Sequence, residues 1–521
     1  MIDLPRRAPG RVFNMAVPLV DRHVAEGRGE RPALRSADGE LTYAELQALV
    51  NRAGNALRSA GVLPEQRVAI LLPDGAEFVA AFIGAMKIGA VPVPMNTAAR
   101  PAELRLMLSD SRARALIGHQ AFVAPAQGYV ETIFLSGQGE WSGTGPHFSA
   151  ALAGASTQLD AFPTGVDEPC YWLYSSGTTG SPKGVVHLHG DMLACVTPFA
   201  EEVVGITPDD CTFSVARLFF SYGLVNALFL PLLAGATSVL SAERPDVART
   251  LRVVRRFKPT LFFSVPSSYA QLCAALESGS DTPFEGVRLA ISAGEPLPEP
   301  LYTRWKALTG VEVLDGLGST EVGYIFCSNV PGQVRPGSSG RLIGDHAARI
   351  VDEFGVDVPD GHPGELWVNS ASTALHYWNQ RQRTRYTFVG EWLRTGDRYV
   401  RDVDGYFWYQ GRSNDVFKVN GQWVSPLEIE SCLLTHGGVL ECAVIGTADD
   451  AGLVKPRAFV VRRPGTSVDS AELQALVRAQ LQPYKYPRWV DFVDELPKTA
   501  SGKVQRFALH ALPMAQPVRR V

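Results

Sequence analysis

The segment Tyr174–Gly184, YSSGTTGSPKG, brings hydroxyls, glycines and one cation into a single short stretch. Ser175, Ser176, Thr178, Thr179 and Ser181 carry the hydroxyls, and Lys183 the positive charge. Gly177, Gly180 and Gly184 let backbone N–H groups approach a ligand closely. Such a loop suits a polyphosphate, whose oxygens accept from N–H and O–H donors together. It is not a Walker A loop: counting from Gly177, Pro182 stands where that pattern needs its second glycine. Four residues downstream have side chains with chemistry of their own. Glu321 is a hard oxygen ligand for Mg²⁺. Asp397 is an acceptor-only carboxylate suited to both hydroxyls of a ribose. Arg412 can fork two donors onto ribose or phosphate oxygens. Lys503, in TASGK, can deliver an ammonium to developing negative charge. Each also has a plain structural reading: a turn residue, a first-turn helix acid, a surface ion pair and a solvated lysine.

Two further pairings carry less. His187 and Asp191 spell H-x-x-x-D, a pattern seen in some acyltransferases, but a two-residue match arises often by chance. His187 and His189 alternate as in a strand, and no third ligand is placed beside them, so a zinc site is not expected.

The elements that must position these residues alternate. The apolar run 170–174 predicts a strand leading into the phosphate-type loop. Residues 41–60 space apolar side chains as a helix does, with Thr42 as N-cap and Glu45 closing a capping box. Strands are predicted at 67–72, 90–94, 236–240, 260–265 and 287–292, and helices at 76–88, 246–256 and 298–308. That alternation argues for a layered α/β fold with a largely parallel sheet. After about residue 335, turn signals become dense (PDGHPGE, DVDG, GRSND), and the strands there should be short and antiparallel. A compact unit follows, with a helix at 426–436, a strand at 440–446 and a helix at 470–482. The charged, glycine-containing turn Gly411–Asp415 is a plausible hinge between two patterned blocks.

Composition excludes several classes. The 521 residues are 46% hydrophobic and 20% charged, which fits a globular chain with ample core rather than a disordered one. A net charge of −4 is a poor footprint for nucleic acid. Seven scattered cysteines without a CxxC pair argue against a disulfide framework. Residues 1–14 show no apolar signal core, so a reducing, cytoplasmic setting is expected. The apolar run Leu218–Leu233 holds Ser221, Gly223, Asn226 and Pro231 and is short for a span, so a buried core segment is expected and no membrane partner.

YSSGTTGSPKG resembles the phosphate loop of adenylate-forming enzymes, which include acyl-CoA synthetases, adenylation domains and luciferases. Other segments resemble that family in the same order along the chain. SAGEP (292–296) is similar to its adenine-side loop and would supply Ala293, Gly294, Glu295 and Pro296. DGLGSTE (315–321) is similar to its nucleotide and magnesium motif. There Asp315, Gly316, Leu317, Gly318 and Ser319 would face the nucleotide, Thr320 and Glu321 would act in catalysis, and Glu321 would hold the metal. WLRTGD (392–397) resembles the ribose motif, GRSNDVFKVNG (411–421) the hinge motif, and PKTASGK (497–503) the motif of the catalytic lysine. The resemblance spans about residues 30–510. It implies a large N-terminal domain, 1–413, of layered α/β subdomains with a small β-barrel-like part. It also implies a small mobile α+β domain, 414–521. ATP, Mg²⁺ and CoA are implied, in two half-reactions: a carboxylate attacks the α-phosphate to give acyl-adenylate and pyrophosphate, then a thiol displaces AMP. The small domain would turn about Asn414, where relatives often carry Asp or Lys. Lys503 would serve the first step, and Lys418 and Gly421 would line the CoA channel in the second. Ser175 replaces a threonine common in relatives and keeps the hydroxyl.

The resemblance is closest to aryl-CoA ligases of the benzoate type, carried by WLYSSGTTGSPKGVVH (172–187), LFFSYGLVN (218–226), DGLGSTE and IFCSN (325–329). It implies an aromatic carboxylate as partner, with Phe220 gating the acid site and Tyr222, Gly223, Gly323, Tyr324 and Ile325 lining the acyl pocket. Benzoate-type relatives more often carry a bulkier residue and then His where this chain has Gly323 and Tyr324. Gly323 is therefore expected to open space and Tyr324 to offer a hydroxyl, favouring an amino- or hydroxybenzoate. The alternative acceptor is the thiol of a separate acyl-carrier protein, as in a polyketide synthase. Monomer and dimer are both compatible with the sequence.

Overall fold

Short apolar strands and the helices that connect many of them build two sheets, one parallel throughout and one with a parallel centre. The computed structural model describes residues 12–138, 145–176, 182–279, 282–412, 415–419, 422–449, 452–498 and 504–512. The expected site residues Gly177, Thr178, Thr179, Gly180, Asn414, Gly421 and Lys503 lie outside them.

The first sheet runs Val91–Pro94, Arg67–Leu71, Ala115–His119, Thr132–Ser136, all parallel. The second has a parallel centre in the order Val313–Gly318, Leu289–Ala293, Leu261–Ser264, Cys211–Ser214, Thr237–Val239, Pro32–Ser36. Antiparallel strands close both of its edges. Between the sheets lie the helices Tyr43–Ser59 and Ala76–Lys87. The Ala76–Lys87 helix buries every residue from Phe78 to Lys87, as a helix covered on all sides must. The capping box of Thr42 and Glu45 is present in both directions.

Leu218–Leu233 is not one helix. It breaks into Ser221–Leu224, a π-helical turn Val225–Phe229, and Leu230–Ala234, all but Ser221 and Tyr222 of these residues buried. No helix among the described residues is long and apolar enough to cross a membrane.

Beyond residue 340 the strands turn antiparallel, as the turn density predicts: Ala347–Val351, Gly364–Asn369, Trp392–Arg401, Phe388–Val389 and Phe407–Arg412 share one sheet. The C-terminal part has its own core, including Val424, Ile429, Leu433, Val444, Val460 and Leu473. There the helices Pro426–Leu434 and Ser470–Gln480 pack with a sheet built on Val439–Ala448 and Val454–Arg462.

Candidate active site

The phosphate-type loop sits at the end of an antiparallel hairpin. Strand Pro169–Ser176 pairs with Pro182–Leu188 in the register Tyr174↔Gly184, Ser175↔Lys183, Ser176↔Pro182. The hairpin is anchored from behind: the Tyr174 hydroxyl donates to Asp110 at 2.6 Å, and the Trp378 indole donates to the Asp110 carbonyl at 2.9 Å. Ser175 Oγ is buried and finds no hydrogen-bond partner among the described residues.

Lys183 leaves the second strand of the hairpin and donates to Glu321 at 2.7 Å and to the Tyr377 hydroxyl at 2.9 Å. The Tyr377 hydroxyl donates in turn to Glu321 at 2.8 Å. Glu321 and Lys183 are only 13% and 17% exposed, so this pair is screened little by water. Burial by itself would raise the Glu321 carboxyl; the Lys183 ammonium and the Tyr377 hydroxyl override it and hold the group down to about 2. Thr320 precedes it in the same turn. Tyr377 has no motif signal in the sequence. It reaches the site because the strand His376–Tyr377 pairs with Val185 and Val186 of the hairpin.

The adenine-side segment ends the strand Leu289–Ala293. Gly294 follows in the left-handed region, at φ +92°, where its lack of a side chain removes the strain. Gly294, Glu295 and Pro296 line the cleft described below. Ser264, Ser292 and Asp315 are register neighbours at the carboxyl ends of three adjacent parallel strands. That edge is where open α/β sheets take ligands. Burial pushes the Asp315 carboxyl well above its ordinary range, and its Oδ1 finds no hydrogen-bond partner among the described residues. Gly316, Leu317 and Gly318 complete that strand, and Ser319 Oγ accepts from the Val322 N–H at 3.2 Å. The ribose-type pair is set by sheet register, since Asp397 stands directly opposite Arg412. Arg412 Nε donates to Asp397 at 2.8 Å, and the Asp397 charge raises the guanidinium further.

A cleft of about 1930 Å³ joins these elements, lined from the large part by Ser175, Phe220, Glu295 and Arg412 and from the small part by Glu430, Lys498 and Arg506. Lys418 lies on the exposed side of the hairpin Phe417–Val419 and does not line it.

The expected acyl pocket is aromatic: Tyr222 stacks against Tyr324 at 6.4 Å, and Phe199 meets Tyr324 edge-on at 4.9 Å. Phe220 packs on Phe219 at the entrance of the short helix Ser221–Leu224. Ile325 begins the strand Ile325–Ser328 and is buried. Three expectations are corrected here. Gly323 does not open space: it has φ +90°, and a Cβ built there lies 2.7 Å from Met192 Cε. The small residue is needed for backbone conformation and for packing on the helix Asp191–Pro198. A Cβ on Gly223 would fall 2.1 Å from the Arg217 carbonyl, so that glycine serves close backbone approach rather than pocket volume. The Tyr324 hydroxyl is not free, because it donates to Asn226 Oδ1 inside the core. Tyr222 likewise spends its hydroxyl on the Ser264 and Ile291 carbonyls, at 3.2 and 3.1 Å. Both tyrosines thus have their hydroxyls engaged and pack ring against ring. The sequence reading missed Asn226, since one polar residue in an apolar run gives no sign of its partner.

Residues 21–378 match the AMP-binding enzyme family, and residues 428–503 match the C-terminal domain of AMP-binding enzymes. The chain belongs to this family. It is 44% identical to a benzoate–CoA ligase of Thauera aromatica, over 98% of this chain and 97% of the relative. It is 43% identical to a 4-hydroxybenzoate–CoA/benzoate–CoA ligase of Rhodopseudomonas palustris, over 97% of this chain and 95% of the relative. Its fold is similar to the crystal structure of an anthranilate CoA ligase in complex with anthranoyl-AMP. That match has a TM-score of 0.92 at 40% identity and covers 97% of each chain.

Proposed function

We infer that this chain is an ATP-dependent aryl-CoA ligase, an AMP-forming acid–thiol ligase that uses ATP, Mg²⁺ and CoA. It activates a benzoate-type carboxylate as acyl-AMP, releasing pyrophosphate, and passes the acyl group to the CoA thiol, releasing AMP. The observation that carries this reading is the Lys183–Glu321 pair at the root of the phosphate-loop hairpin. A buried ammonium and a hard anionic oxygen 2.7 Å apart suit a polyphosphate–metal complex, because each can turn to the charge it prefers.

The donor set fits the metal. Mg²⁺ keeps several waters and takes one or two protein carboxylates beside substrate phosphates. Glu321 is one such carboxylate, and no group of three metal-binding side chains occurs among the described residues. When bound, the ion neutralises phosphate charge. The chain's own residues do the rest. Ser175 and Lys183 hold phosphate oxygens, Asp397 and Arg412 hold the ribose, and Asp315 with the 293–296 segment faces the base. Tyr222, Tyr324 and Phe220 enclose the ring of the acid. Stacking and edge contacts with these rings favour an aromatic acid over a long aliphatic chain. Fixing the carboxylate against the α-phosphate lowers the barrier by orientation more than by covalent chemistry.

We place the division at 1–413 and 414–521, and the separate core of the C-terminal part supports a two-step use of the molecule. Lys503 serves adenylation from the small domain, and Lys418 with Gly421 serves CoA after that domain turns about Asn414.

Within the class, the acid we favour carries an amino or hydroxyl group on the ring. The anthranilate CoA ligase at 40% identity and the 4-hydroxybenzoate–CoA/benzoate–CoA ligase at 43% identity support this class. AMP release is the deciding measurement, with ATP, Mg²⁺ and benzoate, aminobenzoates, hydroxybenzoates or short aliphatic acids, each with and without CoA. Rapid release only with an aryl acid plus CoA is expected, with a substituted acid ahead of benzoate. Preference for benzoate overturns the substituent reading alone. Adenylate accumulation indifferent to CoA overturns the acceptor.

A further inference from the structure

His187 and Asp191, set aside on sequence as a chance pair, meet in the structure. His187 is fully buried, its Nδ1 lies 3.0 Å from Asp191 Oδ2, and Asp191 is 1% exposed. Nε2 lies 2.6 Å from the carbonyl oxygen of Thr320, the residue before Glu321. A carbonyl oxygen can only accept, so Nε2 bears a hydrogen and donates it. Nδ1 then shares its side of the ring with Asp191, which also accepts the Leu188 N–H at 2.9 Å. Both ring nitrogens are thus committed, and the ring is pinned face-on to Tyr171, 5.1 Å away.

Position along the strand gives the pairing its meaning. Residues i and i+4 of a strand share a face, and Lys183 and His187 are such a pair on Pro182–Leu188. Lys183 holds the Glu321 carboxylate, while His187 holds the backbone one residue earlier. The other donor to the Thr320 carbonyl is the Gly323 N–H at a longer 3.2 Å. One strand face therefore grips both the side chain of Glu321 and the peptide from which it springs.

We propose that His187, held by Asp191, is a positioning residue that aims the Glu321 carboxylate at its metal–phosphate ligand by fixing the Thr320 carbonyl. This rests on the reading of Glu321 as the Mg²⁺ ligand of adenylation. Loss of an outer hydrogen-bond partner typically costs about 10- to 100-fold in metal affinity or activity.

The test compares His187→Met with His187→Gln, two side chains of similar length, of which only Gln can donate to the Thr320 carbonyl. Two readouts are taken. One is the Mg²⁺ dependence of aryl-acid-driven pyrophosphate exchange. The other is calorimetric binding of a non-hydrolysable ATP analogue across a Mg²⁺ titration. His187→Met is expected to raise the Mg²⁺ requirement about tenfold in both, with the KM for the aryl acid within about twofold, and His187→Gln to restore most of the loss. Should His187→Met fail to fold, Asp191→Asn decides. Nδ1 and the Leu188 N–H meet the same Asp191 oxygen. In Asp191→Asn an amide oxygen there draws the ring hydrogen to Nδ1 and away from Thr320, and an amide nitrogen there opposes the Leu188 N–H, so the Mg²⁺ requirement should rise about tenfold. A wild-type Mg²⁺ requirement in His187→Met or in Asp191→Asn, or equal loss in Met and Gln, overturns the positioning role. A wild-type protein without Mg²⁺- and ATP-dependent exchange with any aryl acid overturns the ligase reading instead.

Discussion

At the residue scale, Lys183 and Glu321 set each other's charge, and the sign of their contribution can be followed with pH. Glu321 is held at about 2 against an ordinary value of 4.5. A depressed carboxyl adds stability that is fully present above the unfolded value and is lost as pH falls toward the folded one. In Lys183→Met the ammonium is gone, burial dominates and the carboxyl rises. The stability gap between wild type and Lys183→Met, read by urea unfolding, should therefore be larger at pH 7 than at pH 4. Adenylation in the variant should fall by about a hundredfold or more, the scale of losing one well-placed electrostatic donor. Tyr324→Phe tests a different buried contact. It strips Asn226 Oδ1 of the donor hydroxyl in the core, and leaving a buried acceptor unpaired costs about 1–3 kcal/mol. A shift of the denaturation midpoint of that size is expected with benzoate as well as hydroxybenzoate bound.

At the element scale, one turn and one pair of strands depend on backbone geometry. Gly323 combines φ +90° with a Cβ position 2.7 Å from Met192. Gly323→Ala should destabilise the protein by more than about 1 kcal/mol, since strain at positive φ exceeds the gain in chain entropy. Trimming Met192 to Ala in the same chain removes the clash and leaves the φ penalty, so the double variant should recover only part of the loss in thermal unfolding. The Asp397–Arg412 pair arises from register between Trp392–Arg401 and Phe407–Arg412. Arg412→Lys keeps charge and loses the planar fork. It should raise the KM for ATP about tenfold while leaving the KM for the acid nearly unchanged, as initial-rate kinetics would read.

At the scale of the whole molecule, residues of both the large and the small part line one cleft. The large part supplies the hairpin, the strand ends and the aromatic pocket. The small part contributes Glu430, Lys498 and Arg506 to the same cleft and carries a core of its own. A separate core is what the proposed turn of the small part between two half-reactions would need. Lys503→Ala should abolish adenylate formation while synthetic acyl-adenylate plus CoA still yields the thioester. Equal loss of both steps in rapid-quench assays would contradict the division of labour.

Local sequence determined the elements and the motifs. Apolar alternation, the Thr42–Glu45 capping box and the turn-rich stretch after residue 335 each fix structure within a few residues, so they can be read without the fold. The hydroxyl- and glycine-rich composition of residues 174–184, suited to phosphate oxygens, is likewise legible without the fold. Tertiary structure alone decided which side chains are already spent. It turned the Tyr324 hydroxyl inward to Asn226, filled the space beside Gly323 with Met192, and brought Tyr377 and His187 to Glu321 and Thr320 through strand pairing. The reason is physical. A hydrogen bond or a close contact between residues far apart in the chain depends on register and packing, and neither leaves a local trace.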